Sequence, residues 1–359
     1  MKAVIMSGGR GQRLKPLTDH LPKPMVPVGP RRCIDYVIRS LTSAGIDEVI
    51  VTTGYLSDRV IRGIASGASH GASVVYSFED EPLGTAGGVK HVGPFLGKET
   101  FVVASGDVLA DVNIRRLIER HAENKARGGA ATIAVTKVED PTQYGIIGLT
   151  KEGRIDRFKE KPRREQIFSN LVNAGIYVVE PEVLDEIPAN QPYDFSKDLW
   201  PDLLERGVPI FGEPIEGFWM DVGRPEDLIE ANLIVIRREG HKQQGSPGST
   251  LIQGKRLRLA PGVRLSGAVL LGDVVRVGDD VELKDCAIHD ATTVAKGCTI
   301  ERSLVLEDCE IGAGASLRDT ILAGGTVVGP GAVLEGCVIG EGMHIAPEAR
   351  LKGARVPNS

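Results

Sequence analysis

No stretch of this chain approaches the ~20 consecutive apolar residues that a membrane-spanning helix requires, and a membrane partner is not expected. Positive charge is not in excess either. Lys and Arg number 43 against 48 Asp and Glu, a net charge of −5 with both signs interspersed. That balance argues against a nucleic-acid coat or a binder of anionic lipid, while leaving room for a local basic pocket. Cysteine is scarce: Cys33, Cys286, Cys298, Cys309 and Cys337 form no C-x-x-C pair, and their number is odd. Packing as small hydrophobes is favoured over a metal centre or a disulfide framework. The opening residues, Met-Lys-Ala-Val-Ile-Met, lack a signal-peptide apolar region and cleavage site, so the cytoplasm is the expected location.

What the chain does contain is a repeat. Ile288, Val305, Leu322 and Ile339 are 17 residues apart, as are Val294, Ile311, Val328 and Ile345, and Ile300, Leu317, Leu334 and Leu351. Within each unit the apolar steps are six, six and five. An α-helix of period 3.6 cannot turn such positions inward, but a prism of three short sides per coil can. Cys286, Ser303, Thr320 and Cys337 share one register position, a column of small residues. The cadence reaches back to Leu271, Val277 and Leu283, and less regularly to Leu251, Leu257, Val263 and Val269, which gives about six coils. Stacked coils bury one another's apolar corners and form a scaffold, so the chemistry is expected elsewhere.

The earlier part alternates strand-like and helix-like segments. Strands are expected at 3–6, 49–53, 74–78 and 101–104, with helices at 34–44, 58–65, 86–95 and 113–124 between or after them. Short apolar strands alternating with helices indicate a parallel sheet covered on both faces. Strand-like segments at 132–138, 146–149, 155–159 and 174–179 follow with few helices between, suggesting antiparallel additions. Helices are expected at 198–205 and 225–238. The expected organisation is an α/β domain over 1–239, a glycine- and serine-rich linker over 240–250, and the coiled repeat over 251–359.

The first strand runs into Ser7-Gly8-Gly9-Arg10-Gly11-Gln12-Arg13-Leu14. Glycines there let backbone N–H groups approach an anion. Arg13 and Lys23 add a guanidinium fork and a point charge suited to polyphosphate. The spacing fits neither a Walker A loop nor G-x-G-x-x-G. Gly8-Gly9-x-Gly11-x-Arg13-Leu14-x-Pro16-Leu17-Thr18, followed by Pro22-Lys23-Pro24-Met25, resembles the signature of sugar-1-phosphate nucleotidyltransferases. One departure is Gln12, where the family usually carries Thr.

The resemblance implies a Rossmann-like mixed-sheet nucleotidyltransferase domain followed by a left-handed parallel β-helix of hexapeptide repeats. It implies transfer of a nucleotidyl group from an NTP to a sugar 1-phosphate with release of pyrophosphate. By the same resemblance Gly8, Gly9, Gly11, Arg13, Gly84, Thr85 and Asp107 contact the nucleotide. Arg13 and Lys23 act on its phosphates, and Asp107 with Asp221 holds Mg²⁺. Gly145, Glu160, Lys161 and Asn173 line the sugar-phosphate pocket. The segment Leu83-Gly84-Thr85-Ala86-Gly87-Gly88 is most like guanylyltransferases acting on mannose 1-phosphate or a heptose 1-phosphate. Thymidylyl or uridylyl transfer to glucose 1-phosphate is an alternative. A non-catalytic regulatory relative is disfavoured because Arg13, Lys23, Asp107, Lys161 and Asp221 are all present. A β-helix acyltransferase using His289 or His344 is disfavoured because no long loop interrupts the coils. Open coil ends and flat faces favour a homo-oligomer assembled through the β-helix.

Overall fold

The computed structural model describes residues 1–79, 81–242 and 248–357. Asp80, shortly before the Leu83–Gly88 segment in sequence, lies outside them, as does the middle of the expected 240–250 linker. By internal contacts the chain divides into two compact units, Met1–Gly9 with Cys33–Met220, and Arg10–Arg32 with Asp221–Ser359.

The first unit is built on a nine-stranded mixed sheet. Its central strand Lys2–Met6 runs parallel to Glu48–Thr53 on one side and Phe101–Ser105 on the other. Ser73–Phe78 extends the parallel side. Beyond Phe101–Ser105 the direction reverses: Leu171–Val179 is antiparallel to it and to Ala131–Lys137, and Gly145–Leu149 and Ile155–Glu160 close that edge. The expected parallel core with antiparallel additions is therefore observed. Every side chain of Ala3–Ile5 and Val102–Ala104 is fully buried, as a sheet covered on both faces requires.

The helices expected at 34–44, 58–65 and 113–124 occur as Cys33–Ser43, Ser57–Ile64 and Ile114–Lys125. The last is capped by Asn113, whose Oδ1 accepts from Arg116 N at 3.2 Å. Asp111, close enough in sequence to suggest a cap, lies instead within the strand Val108–Val112. The core centres on Trp200, stacked on Phe195 at 5.1 Å and edge-on to Tyr177.

The second unit is the parallel β-helix. Six short strands, Arg258–Leu259, Arg276–Val277, Thr293–Val294, Glu310–Ile311, Val327–Val328 and His344–Ile345, stack in parallel along one side, one per coil. The other two sides diverge from the longer strand Glu282–Ile288. The inward columns from the 17-residue repeat are buried, with Ile345 and Leu351 the more open members near the end. The small-residue column is buried too. Its hydroxyls serve the neighbouring coil: Thr320 N donates to Ser303 Oγ at 3.1 Å, and Cys337 N to Thr320 Oγ1 at 3.3 Å. All five cysteines are free and buried, and burial pushes the Cys309 thiol up to about 12. The helix Pro225–Glu239 packs on the first coils of this unit, and the strand His241–Lys242, within the expected linker, pairs with Thr250–Gln253. Among the described residues no helix is long and apolar enough to cross a membrane.

Candidate active site

The residues expected to act on substrate fall in both units, and each set is described within its own unit. In the first, Lys2–Met6 is where the order of strands reverses, and its carboxyl end is the place where α/β sheets bind ligands. Ser7-Gly8-Gly9 leaves from that end. A methyl group added at Gly8 or Gly9 would meet nothing within 4 Å, so packing does not demand glycine there. Close approach of a ligand to the main chain would. The hydroxyls of Ser7 and Thr53, at adjacent strand ends, are buried and have no hydrogen-bond partner among the described residues. Such a group costs about 1–3 kcal/mol when left unsatisfied. On the other flank Gly106 N donates to Met6 O at 2.9 Å, which draws the Ser105-Gly106-Asp107 turn over the same end of the sheet. Asp107 stands there half-buried.

Gly84 and Thr85 open the helix Gly84–His91, whose first amides are fastened to the 193–195 turn. Ala86 N and Gly87 N both donate to Tyr193 O, at 2.9 and 3.0 Å. Thr85 Oγ1 donates to Asp194 Oδ2 at 3.0 Å and accepts from Phe195 N at 2.9 Å. A Cβ at Gly84 would lie 2.6 Å from Tyr193 O, so only glycine fits. The Gly-Thr pair thus shapes this wall. Glu79 Oε2 accepts from Leu83 N at 3.1 Å, just before this helix, and burial raises the Glu79 pKa.

The residues expected to line a sugar pocket are gathered by strand register. Glu160 pairs with Gly145, and the adjacent Ile146 pairs with Val172, next to Asn173. Gly145, Glu160, Lys161 and Asn173 are therefore brought together. A Cβ on Gly145 would sit 2.6 Å from Phe158 Cζ and 2.9 Å from Glu160 Oε2, so glycine makes room for the carboxylate itself. Burial raises the Glu160 pKa; Asp194 adds to the rise, and Lys161 and Lys197 oppose it. Lys161 adopts a left-handed backbone, φ 42°, which side-chain-bearing residues favour little. The Ile155–Glu160 strand ends here, though Lys161 N still donates across to Tyr144 O at 3.0 Å. Asn173 sits at a bulge. Its amide donates to Tyr177 Oη at 2.9 Å and Ser196 Oγ at 3.0 Å, while Oδ1 accepts from Gly175 N at 2.8 Å. Both amide protons are engaged, so Asn173 has only acceptor capacity left for a ligand hydroxyl. Trp219 Nε1 donates to Ala174 O at 2.8 Å, and its ring meets Tyr144 edge-on at 5.9 Å.

In the second unit Gly11, Arg13, Lys23 and Asp221 converge. The chain after the glycine loop forms three 3₁₀ turns, Gln12–Leu14, Leu17–Asp19 and Lys23–Met25, so no α-helix N-terminus faces an anion here. Gly11 has φ 59°, and a Cβ there would strike Thr18 Cγ2 at 2.9 Å. Thr18 Oγ1 closes the loop onto Gly11 O at 2.9 Å. Two cations hold one carboxylate: Lys23 Nζ is 2.9 Å from Asp221 Oδ1, and Arg13 Nη2 is 3.2 Å from Oδ2. Lys23 and Asp221 are 8% and 13% exposed, so this pair is largely withdrawn from water, whereas Arg13 at 47% is not. Gly223 is required by the same arrangement, since a Cβ there would lie 2.4 Å from Arg13 Nη2 and 2.7 Å from Asp221 Oδ2. Asp227 lies near enough to Asp221 that burial and that neighbour together raise its pKa.

The sequence profile of the nucleotidyl transferase family matches residues 2–238. The chain belongs to the nucleotidyl transferase family. A second profile, the GMPPB C-terminal domain, matches residues 248–358 of this nucleotidyltransferase. It is 31% identical to a Synechocystis protein named UTP--glucose-1-phosphate uridylyltransferase, over 90% of this chain and 87% of that protein. It is 36% identical to mannose-1-phosphate guanyltransferase of Saccharomyces cerevisiae, over 68% and 67%. It is 31% identical to mannose-1-phosphate guanylyltransferase of Mycobacterium tuberculosis, over 84% and 83%. Among solved structures, a putative glucose-1-phosphate thymidylyltransferase from Bacillus anthracis aligns with a TM-score of 0.60 and 26% identity, covering 68% of this chain and 98% of that one.

Several residues that shape the site in this nucleotidyltransferase carry little signal in the sequence. Asp194, which anchors Thr85, and Ser196, which anchors Asn173, stand in a polar run, Tyr193-Asp194-Phe195-Ser196-Lys197, that only long-range pairing brings to the pocket. Gly223 could have been suspected from its place two residues after Asp221. Among the described residues no group of three or more His, Cys, Asp and Glu forms a metal cluster. The imidazole Nε2 of His289 is buried with no hydrogen-bond partner among the described residues, and burial lowers its pKa to about 4. It is a neutral ring in the coil wall.

Proposed function

We propose that this nucleotidyltransferase joins GTP to mannose 1-phosphate, giving GDP-mannose and pyrophosphate. The observation that carries nucleotidyl transfer is Asp221, one carboxylate gripped by two cations of phosphate-binding type. The choice of base and sugar is supported by the guanyltransferase relatives and by Leu83-Gly84-Thr85-Ala86-Gly87-Gly88. A second reading, UTP or TTP with glucose 1-phosphate, is supported by the Synechocystis relative, and a heptose 1-phosphate as acceptor is a variant of the first.

The donor set fits a hard divalent ion. Mg²⁺ is commonly held by one or two carboxylates together with substrate phosphates, and Asp107 and Asp221 would supply the carboxylates. Once bound, the ion would neutralise phosphate charge and polarise the α-phosphate. The protein's own part begins with exchange of partners. Arg13 and Lys23 release Asp221 and take up oxygens of the triphosphate, whose chain lies against the Gly8, Gly9 and Gly11 backbone. Gly84 and Thr85 wall the nucleotide. Lys161 orients the sugar phosphate, Glu160 accepts from sugar hydroxyls, and Gly145 and Asn173 complete that wall. A phosphate oxygen of the sugar 1-phosphate attacks the α-phosphorus in line. A new P–O bond forms, the bond to the β-phosphate bridging oxygen breaks, and pyrophosphate leaves with the electron pair. The attacking group is already an anion, so no general base is required. Positioning and charge stabilisation do the rest.

A matrix of four NTPs against mannose, glucose, glucosamine and heptose 1-phosphates, followed by pyrophosphate release with Mg²⁺, tests the reading. GTP with mannose 1-phosphate should be the best pair. Absence of turnover with every pair would overturn enzymatic activity, and preference for UTP or TTP with glucose 1-phosphate would install the second reading.

Glu160 gives a pH signature. Its raised pKa means that it keeps its proton to a higher pH than an exposed glutamate, and a protonated carboxyl is a poorer acceptor. KM for the sugar phosphate should therefore rise as pH falls from 8 toward 5.5. The substrate's own second phosphate proton titrates near about 6, so the comparison with Glu160→Gln isolates the side chain. The variant should have a higher KM at pH 8 and a shallower acid limb. Superimposable limbs would remove Glu160 from sugar recognition.

A further inference from the structure

The β-helix carries one residue that breaks its own pattern. In the register column Leu270, Ala287, Leu304, Ile321 and Val338, successive coils pair residue to residue, and each member is at most 3% exposed. The next position, paired with Val338, is Arg355, and it is exposed. A column that is apolar for five coils thus ends in a cation.

Within the same compact unit, Arg355 reaches the loop that bears Arg13. Its Nη1 donates to Lys15 O at 2.7 Å and, more weakly, to Arg13 O at 3.4 Å. These carbonyls belong to the end of the Gln12–Leu14 turn, where cationic side chains commonly satisfy the last carbonyls of a helical segment. From that turn the Arg13 side chain reaches Asp221, and Lys15 Nζ pairs with Asp19 at 2.8 Å. The Arg355 strand is itself held to the coil before it, through Gly340 N to Val356 O at 2.8 Å.

We propose that Arg355 is a positioning residue for nucleotidyl transfer: from the final described coil it clamps the main chain at Arg13 and Lys15, so the β-helix sets where the Arg13 guanidinium stands. The proposal rests on Arg13 acting on the triphosphate. A shift of about 1 Å in such a group can cost up to ~10²-fold in rate. Lysine at position 355 can still donate to both carbonyls, though without the fixed fork of arginine.

The test compares wild type, Arg355→Ala and Arg355→Lys by steady-state kinetics, and by hydrogen exchange of the free proteins. With whichever substrate pair the wild type turns over, Arg355→Ala should lower kcat about tenfold, leave KM for the sugar phosphate within about twofold, and be partly rescued by Arg355→Lys. Exchange should quicken in peptides covering 11–19 and stay unchanged in coils 282–345. A kcat for Arg355→Ala within about twofold of wild type would overturn the proposal. So would loss of protection spread through the coils, which marks a merely structural residue. The exchange measurement needs no turnover. If no substrate pair reacts, the proposed function falls, while local quickening at 11–19 still establishes the clamp and its absence still removes it.

Discussion

Asp107→Ala lowers kcat by about 10³-fold, or ~4 kcal/mol of transition-state stabilisation, if its carboxylate helps to hold the ion at the α-phosphate. The residue is half-buried in the turn that follows the Phe101–Ser105 strand. The turn is held by its own main chain, through Gly106 N to Met6 O, and not by the Asp107 side chain alone. Thermal unfolding of the variant should therefore stay close to wild type. Kinetics across a Mg²⁺ titration and a melting curve check both halves. Full activity in Asp107→Ala with Mg²⁺ present would refute the assignment.

The second large effect concerns Lys23. Its ammonium and the Asp221 carboxylate are mostly excluded from water, 2.9 Å apart. Deleting one member of such a pair leaves a charge that solvent cannot screen, at a typical cost of about 3–5 kcal/mol. Here Arg13 remains on the other carboxylate oxygen, so Lys23→Met should cost less, about 2 kcal/mol. Turnover should fall by about 10²–10³-fold, because a preorganised charge on the triphosphate is gone. Adding Asp221→Asn removes the stranded charge as well. The double variant should regain stability to within about 1 kcal/mol of wild type while remaining inactive. Denaturant melts and pyrophosphate release on the three proteins, wild type, Lys23→Met and the double variant, separate the two roles. Recovery of activity along with stability would mean that the pair only supports the fold.

The β-helix was the most legible part of the sequence because its 17-residue cadence is a direct consequence of coil geometry. The inward columns at Ile288, Val294 and Ile300 and their repeats are all found as expected. The parallel core was legible for a similar reason, since strands buried on both faces must be continuously apolar. The signature loop was visible through its glycines and cations. Less visible were the partners of the site residues. Asp221 and Lys23 are 198 positions apart, and nothing local to either announces the ion pair. Thr85 and Asp194 meet across 109 positions in the same way. Asp111 reads as a helix cap by its proximity to Ile114–Lys125, but Asn113 is the nearer cap, and β pairing takes Asp111 into a strand. Arg355 carries no local signal; only its register with the five apolar positions before it sets it apart.

Central to the account is the proposed exchange at Asp221, in which Arg13 and Lys23 would pass from the carboxylate to the triphosphate, leaving the carboxylate free to help hold the ion. A crystal structure with Mg²⁺ and a non-hydrolysable GTP analogue reads this directly. The account predicts Arg13 and Lys23 on phosphate oxygens, with Asp107 and Asp221 coordinating the ion. A triphosphate bound away from the Gly8–Gly11 backbone, with both cations still paired to Asp221, would contradict it.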